Sequence, residues 1–275
     1  MRYQLGLPAW AFPGWRDRYF TDAPSRLASY AAVFNTVEGN TTFYREPDSD
    51  TVARWRDAVA DTAFRFCLKL PREVTHEPRP NLAMLHRFVD TVSALGPHLG
   101  PLLVQFPATV GPEQLPLIDR ILSAIDGRVD AAVEVRHPSL FEQPEPVRSL
   151  LEHHGACRVS LDARPLHLGD TTHPDVVKAL HKKPDLPVLP DTVGQRAFIR
   201  LVLHPDFDSN TRYLDEWVAR TAAWLRDGVD VWMMIHCPNN LHCPPLARQF
   251  HDALTQHVEA GTLPDWPLPQ QFSLV

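Results

Sequence analysis

The chain is short of lysine. Lys69, Lys178, Lys182 and Lys183 are the only four, and arginine supplies the other 23 of its 27 basic side chains. That preference reads as coding bias rather than function. No long basic run occurs, and the net charge is −6, so composition gives no support for a nucleic-acid protein. Cysteine is scarce as well. Cys67, Cys157, Cys237 and Cys243 in 275 residues do not make a disulfide framework and suit a reducing compartment. No apolar run reaches the roughly 20 residues of a membrane-spanning helix. The opening "MRYQLGLPAW" contains no secretory h-region. These absences predict a cytoplasmic protein with no membrane partner. A G-x-S-x-G elbow, a P-loop, an H-E-x-x-H motif and a glycine-rich dinucleotide turn are also missing.

What is present is regular alternation. The chain is 44% hydrophobic, enough at this length for a sizeable core. Eight short apolar runs recur: "YQLGL" (3–7), "FNTVEG" (34–39), "FRFCLKL" (64–70), "PLLVQF" (101–106), "AAVEVR" (131–136), "CRVSLD" (157–162), "AFIRLVL" (197–203) and "DVWMMIH" (230–236). Each reads as a buried strand. Between them lie stretches with helical spacing at 24–34, 81–95, 111–125, 146–155 and 213–228. Gly155 and Gly228 stand where helices stop. The pattern predicts an α/β protein, a single (β/α)8 TIM-like barrel over 1–275. An open doubly wound sheet is the rival. Residues 163–196 form a long connection between strands six and seven. The proline-rich tail 261–275 is expected to pack outside the barrel.

In such a barrel, functional groups cluster at the C-terminal rim of the strands. Here strand two ends with Glu38 and Asn40, three with Lys69, four with Gln105, and five with Glu134 and Arg136. Strand six ends with Asp162, seven carries Arg200 and eight ends with His236. Burying these groups unpaired would cost several kcal/mol each, by ordinary desolvation. They are therefore read either as a rim pocket or as a charge network closing the barrel mouth.

The stretches "WAFPGWRDRYF", "YAAVFNTVEGNTTFYREP", "FRFCLKLPREVTH", "LLVQFP", "AAVEVRHPSLF" and "VSLDARP" carry four signatures: E-x-N-x-T-F-Y, K-x5-T-H, Q-F-P and E-x-R-H. With these the chain resembles the family known as domain of unknown function 72, over nearly its full length. The resemblance implies a TIM-like barrel. It also implies a polar pocket at Glu38, Asn40, Phe43, Tyr44, Lys69, Thr75, His76, Gln105, Glu134, Arg136, His137, Asp162, Arg200 and an asparagine after strand eight. It leaves the reaction open. One departure is "GLPAW", where Ala9 stands in place of the family's glycine beside Trp10.

"HCPNNLHC" (236–243) looks at first like a metal motif. Its two cysteines are separated by five residues that include a proline, which does not match structural zinc spacing. No metal is expected there, and Asn239 and Asn240 are the better ligand-binding candidates. Trp15 and Tyr44 are candidates for stacking on a ligand, against the alternative of a hydrophobic plug. The pair Lys182–Lys183 reads as a solvated loop. The resulting expectation is an enzyme acting on a small anionic substrate, phosphorylated or sugar-like, by general acid/base chemistry of the hydrolase or lyase kind. Glu38, Glu134 and Asp162 are the candidate catalysts. Trp15, Asn40, Tyr44, Lys69, His76, Gln105, Arg136, Arg200, Asn239 and Asn240 are the candidate binding residues. No cofactor is expected. The alternatives are a divalent-metal-dependent hydrolase or isomerase, and a non-catalytic ligand- or nucleic-acid-binding module. The oligomeric state stays open.

Overall fold

The computed structural model describes residues 2–268. Eight strands run parallel: β1 (Tyr3–Leu7), β2 (Thr36–Gly39), β3 (Arg65–Leu68), β4 (Leu102–Gln105), β5 (Ala131–Glu134), β6 (Cys157–Asp162), β7 (Arg196–Val202) and β8 (Asp230–His236). Their order is β3-β2-β1-β8-β7-β6-β5-β4, which leaves β3 and β4 as the two edges. These edges meet. Leu70 N donates to Leu103 O at 3.0 Å, and Gly100 N to Phe66 O at 2.8 Å. The sheet is therefore a nearly closed barrel, and the eight apolar runs each contain or overlap one of its strands.

A helix follows every strand: α1 (Arg26–Ala31), α2 (Ser49–Ala58), α3 (Leu82–Val92), α4 (Leu115–Ser123), α5 (Glu145–His153), α6 (Pro174–Leu180), α7 (Thr211–Arg226) and α8 (Cys243–Thr255). Three caps fix where helices begin. Ser25, Asp48 and Asn81 side chains accept from the amides of Ala28, Thr51 and Met84. Gly155 and Gly228, at φ +60° and +81°, follow α5 and α7 in the left-handed conformation expected of them. Helices α2, α6 and α8 were not expected. Helix α2 buries only Val52, so it has almost no apolar stripe to read. Helix α6 is hidden inside the long connection. Helix α8 begins Cys-Pro-Pro, which resembles a breaker, although proline is tolerated in a first turn.

The apolar core lies between strands and helices. A second, smaller cluster fills the barrel interior with Cys67, Leu103, Ala132, Cys157, Val159, Phe198, Trp232 and Met234. Phe198 and Trp232 stack with ring centroids 6.5 Å apart, and Arg65 lies over Trp232 at 5.0 Å. Because side chains alternate along a strand, these inward positions fix the layer above them. That layer is Glu38, Lys69, Gln105, Glu134, Arg200 and His236. Of the tail, Trp266 packs on Tyr19, Phe20 and Phe34, with Arg248 over its ring at 4.2 Å. The last seven residues of the expected tail, 269–275, lie outside the described residues.

Candidate functional site

Arg200, on β7, is the centre of the rim layer. It is only 4% exposed, and its guanidinium spends all three nitrogens on carboxylates. Nε and Nη2 donate to Glu38 Oε2 and Oε1, both at 2.8 Å, and Nη1 donates to Glu134 Oε2 at 2.5 Å. Glu134 Oε1 accepts from Arg136 Nε at 2.6 Å. Glu38 also accepts from Asn40 Nδ2 at 2.7 Å and lies 3.1 Å from His236 Nε2. Burial opposes ionisation of both glutamates, but the guanidinium groups outweigh it. Arg200 holds Glu38 well below the usual carboxylate range, and Arg136 with Arg200 holds Glu134 down to about 2. Both are anions at neutral pH. Burial pushes His236 down to about 4, so it is neutral there. Facing an ionised acceptor, its Nε2 carries the proton and donates.

Above this floor opens a cleft of about 430 Å³. Lys69 reaches into it from the end of β3. Its Nζ donates to Gln105 Oε1 at 3.0 Å and lies 4.0 Å from the centroid of the Phe43 ring. Arg136 presents its two terminal nitrogens, which make no hydrogen bond among the described residues. Asn40, Tyr44, Gln105, Asn240 and His236 also line the walls. Desolvation, and then repulsion from Arg200, lowers Lys69 to about 8. Burial, and then repulsion from Lys69, lowers His76 to about 4. His76 stands behind the cleft wall, its ring 4.8 Å from Phe43 and its Nδ1 2.8 Å from the Thr75 hydroxyl.

Three expectations need correction. Asp162 does not reach the cleft. Cys157 and Val159 face the barrel interior, so by alternation Asp162 faces outward. There it accepts from Trp217 Nε1 at 2.8 Å and from the Arg164 side chain at 2.7–3.1 Å. Trp15 does not line the cleft either. It is 1% exposed, its Nε1 donates to Asn240 O at 2.7 Å, and Phe12 and Phe20 pack on its ring. Asn239 lies off the cleft lining. It caps Leu241 N and donates to Asp175 Oδ2 at 3.2 Å.

The fourth correction adds a residue. Lys183 is not a solvated loop residue. The long connection runs back across the mouth, its carbonyl accepting from His167 Nε2 at 2.9 Å, and Lys183 lines the cleft. Desolvation, and then repulsion from Arg200, lowers it to about 8. Its ammonium has no hydrogen-bond or ion-pair partner among the described residues. Lys178 and Lys182 line the outer lip, so all four lysines of the chain border one cleft. The signal was in the sequence: a chain poor in lysine places three within residues 178–183.

The "HCPNNLHC" residues diverge. His236 points at Glu38, His242 packs against Phe207, and Cys243 is buried in the core at the start of α8. Among the described residues, no three His, Cys, Asp or Glu side chains gather as a metal site. A larger hollow of about 540 Å³ opens at the opposite end of the barrel, beside Tyr3 and Phe64. Its lining holds one charged side chain, Arg65, so size alone does not mark the chemistry.

The family described as "Protein of unknown function DUF72" matches residues 4–271. The chain belongs to the DUF72 family. It is 33% identical over 276 residues to "UPF0759 protein YecE" of Escherichia coli K12, covering 98% of each chain. The DUF72 fold is shared with solved members. A DUF72 protein of Enterococcus faecalis V583 superposes with a TM-score of 0.71 at 18% identity, over 98% of this chain and 99% of that one. A DUF72 protein of Thermotoga maritima superposes at 0.66 with 19% identity, over 92% and 99%. No helix of the described DUF72 chain is long and apolar enough to cross a membrane.

Proposed function

We propose that the barrel mouth binds a small molecule through a phosphate or carboxylate group, and that the protein is an enzyme acting on that molecule by acid/base chemistry. One observation carries the reading. The two buried carboxylates of the rim layer are already committed to Arg200 and Arg136, which leaves Lys69 and Lys183 facing the cleft with no carboxylate of the described residues within 4 Å. Uncompensated cations in a low-dielectric cleft are unfavourable alone and favourable around an anion. The outer nitrogens of Arg136 add a planar fork suited to a bidentate oxyanion.

Within this reading, Glu38 and Glu134 are positioning groups that hold the guanidinium ions in place. Proton transfer falls to the lysine amines, whose lowered pKa values lie near the working pH of an acid/base catalyst. Asn40, Tyr44 and Gln105 orient the neutral part of the substrate. The test is a thermal-shift titration with phosphate and with sulfate on wild type, Arg136→Met and Lys183→Met. The expected result is a rise in Tm for wild type and a much smaller rise for both variants. At a hundredfold excess over Kd the stabilisation is about 2.7 kcal/mol. Equal shifts in all three proteins, or none in wild type, would overturn the anion site.

A further inference from the structure

We propose that Lys69 is the nucleophile of an imine-forming site, condensing with the carbonyl carbon of a small aldehyde, ketone or 2-oxo acid that also carries a phosphate or carboxylate. The inference rests on the anion-binding reading and extends it to the reacting group. Its first support is the way Lys69 is held. The Lys69 amide donates to Gly39 O at 3.3 Å and its carbonyl accepts from Thr42 Oγ1 at 2.6 Å, so the stem rises from a fixed point on the barrel wall. Its Nζ rests between a neutral amide oxygen and an aromatic face. Neither neighbour is an anion that would lock the group as an ammonium ion.

The second support is the distribution of basic residues. Away from this cleft the chain carries its positive charge on arginine alone, at the 21 arginines other than Arg136 and Arg200. Around this cleft it uses lysine as well, and it uses lysine nowhere else. Arginine supplies charge and geometry but does not lose its proton. Lysine supplies a charge that can become a free amine. The requirement at this cleft is therefore for amines. Desolvation beside the Arg200 cation brings Lys69 to about 8, which makes the free amine accessible near neutrality.

The chemistry balances with the groups present. Lys69, as the free amine, attacks the carbonyl carbon. The C–N bond forms, and the C=O π pair moves to oxygen, which takes up a proton lost from the nitrogen. The carbinolamine hydroxyl then accepts a second proton from the Lys183 ammonium, the C–O bond breaks and water leaves. The nitrogen lone pair closes a protonated imine. Arg136 grips the anionic end of the substrate throughout. The iminium becomes the electron sink for removing a proton, or breaking a carbon–carbon bond, next to the former carbonyl.

The experiment is borohydride trapping with pyruvate, glyoxylate, dihydroxyacetone phosphate and glyceraldehyde 3-phosphate in turn, read by intact mass and peptide mapping. With only four lysines and the amino terminus as acceptors, the adduct is assigned cleanly. The expected result is a single reduced adduct on Lys69 with at least one carbonyl, suppressed by excess phosphate. Lys69→Arg loses that adduct and still unfolds in one cooperative transition with a Tm near that of wild type, which shows that it folds. Lys183→Met retains the adduct at lower yield. No adduct with any of the four, or labelling spread over Lys178, Lys182 and the amino terminus, would overturn the inference. If wild type is still stabilised by phosphate in that case, the imine fails alone. If it is not, the anion site fails with it.

Discussion

Arg200 meets Glu38 in a two-pronged bond, Nε to Oε2 and Nη2 to Oε1, across the barrel from β7 to β2. Neither residue touches water to any useful extent. A buried pair of this kind contributes less by its attraction than it costs when one partner is removed. Arg200→Met strands an ionised carboxylate and should destabilise the protein by about 3–5 kcal/mol. Glu38→Gln should cost a similar amount. The double variant should cost clearly less than the sum, because the desolvation penalties vanish together. Urea unfolding at pH 7 measures this, and strictly additive losses would show that the pair is not coupled.

Acid should loosen the fold before the carboxylates titrate. His76 and His236 both lie near 4 in the folded protein, below the usual 6.5. The unfolded chain therefore binds protons that the folded one refuses, and stability falls as pH drops from about 6.5 to about 4. For the buried His236 the full loss is on the order of 3 kcal/mol. Glu134, held near 2, adds a second loss as pH falls below about 4.5. A Tm profile from pH 8 to pH 4 should slope downward, and His236→Gln should flatten the upper part of it. A flat wild-type profile between pH 6.5 and 5 would contradict these assignments.

Anion affinity should have a ceiling in pH. In the free protein Lys69 and Lys183 lose their protons near 8. Sulfate, which does not titrate in this range, should bind best below that value. Its affinity should then fall with rising pH, approaching roughly tenfold per pH unit for each ammonium required. Lys183→Met should weaken binding and shallow the slope. Calorimetric titration at pH 7, 8 and 9 decides the matter, and a pH-independent Kd would remove the lysines from the site.

Asp162 gives the opposite expectation. Its carboxylate serves Trp217 and Arg164 on the outer face of β6. Asp162→Asn should destabilise by about 1.5–3 kcal/mol, the range for a hydrogen bond to a charged group, and leave sulfate binding unchanged. A loss of binding without a loss of stability would return Asp162 to the cleft.

The strands were legible because each is a short apolar run, and most of the rim followed from their spacing. Glu38, Gln105 and Glu134 are the last inward positions of β2, β4 and β5, Lys69 follows β3 directly, and Arg200 stands two residues before the end of β7. Asp162 misled because β6 inverts the usual rule. Its outward residues Arg158, Ser160 and Asp162 are polar, each with a polar partner outside the barrel. A polar strand end usually marks an inward position, but here Val159 and Leu161 set the inward parity and Asp162 falls on the other. Lys183 was invisible for a different reason. Nothing local in "LHKKPD" distinguishes a loop in water from a loop folded over a barrel mouth. Only the long-range path of the connection, pinned by His167, places its ammonium near Arg200. Trp15 was ambiguous from the start, since an indole serves as a plug or a platform according to which neighbours reach it.

The stacked Phe198 and Trp232 rings, with the cysteines and small residues beside them, stopper the barrel below the charged floor. A molecule bound at the proposed Lys69 site would therefore enter and leave by the mouth, since the barrel interior beneath it is filled. Whatever leaves must clear the lysine-lined lip before the next molecule enters. Any product that keeps its anionic group contends with the substrate for the same doorway. On the proposed anion site, inhibition by such a product would be competitive with the substrate.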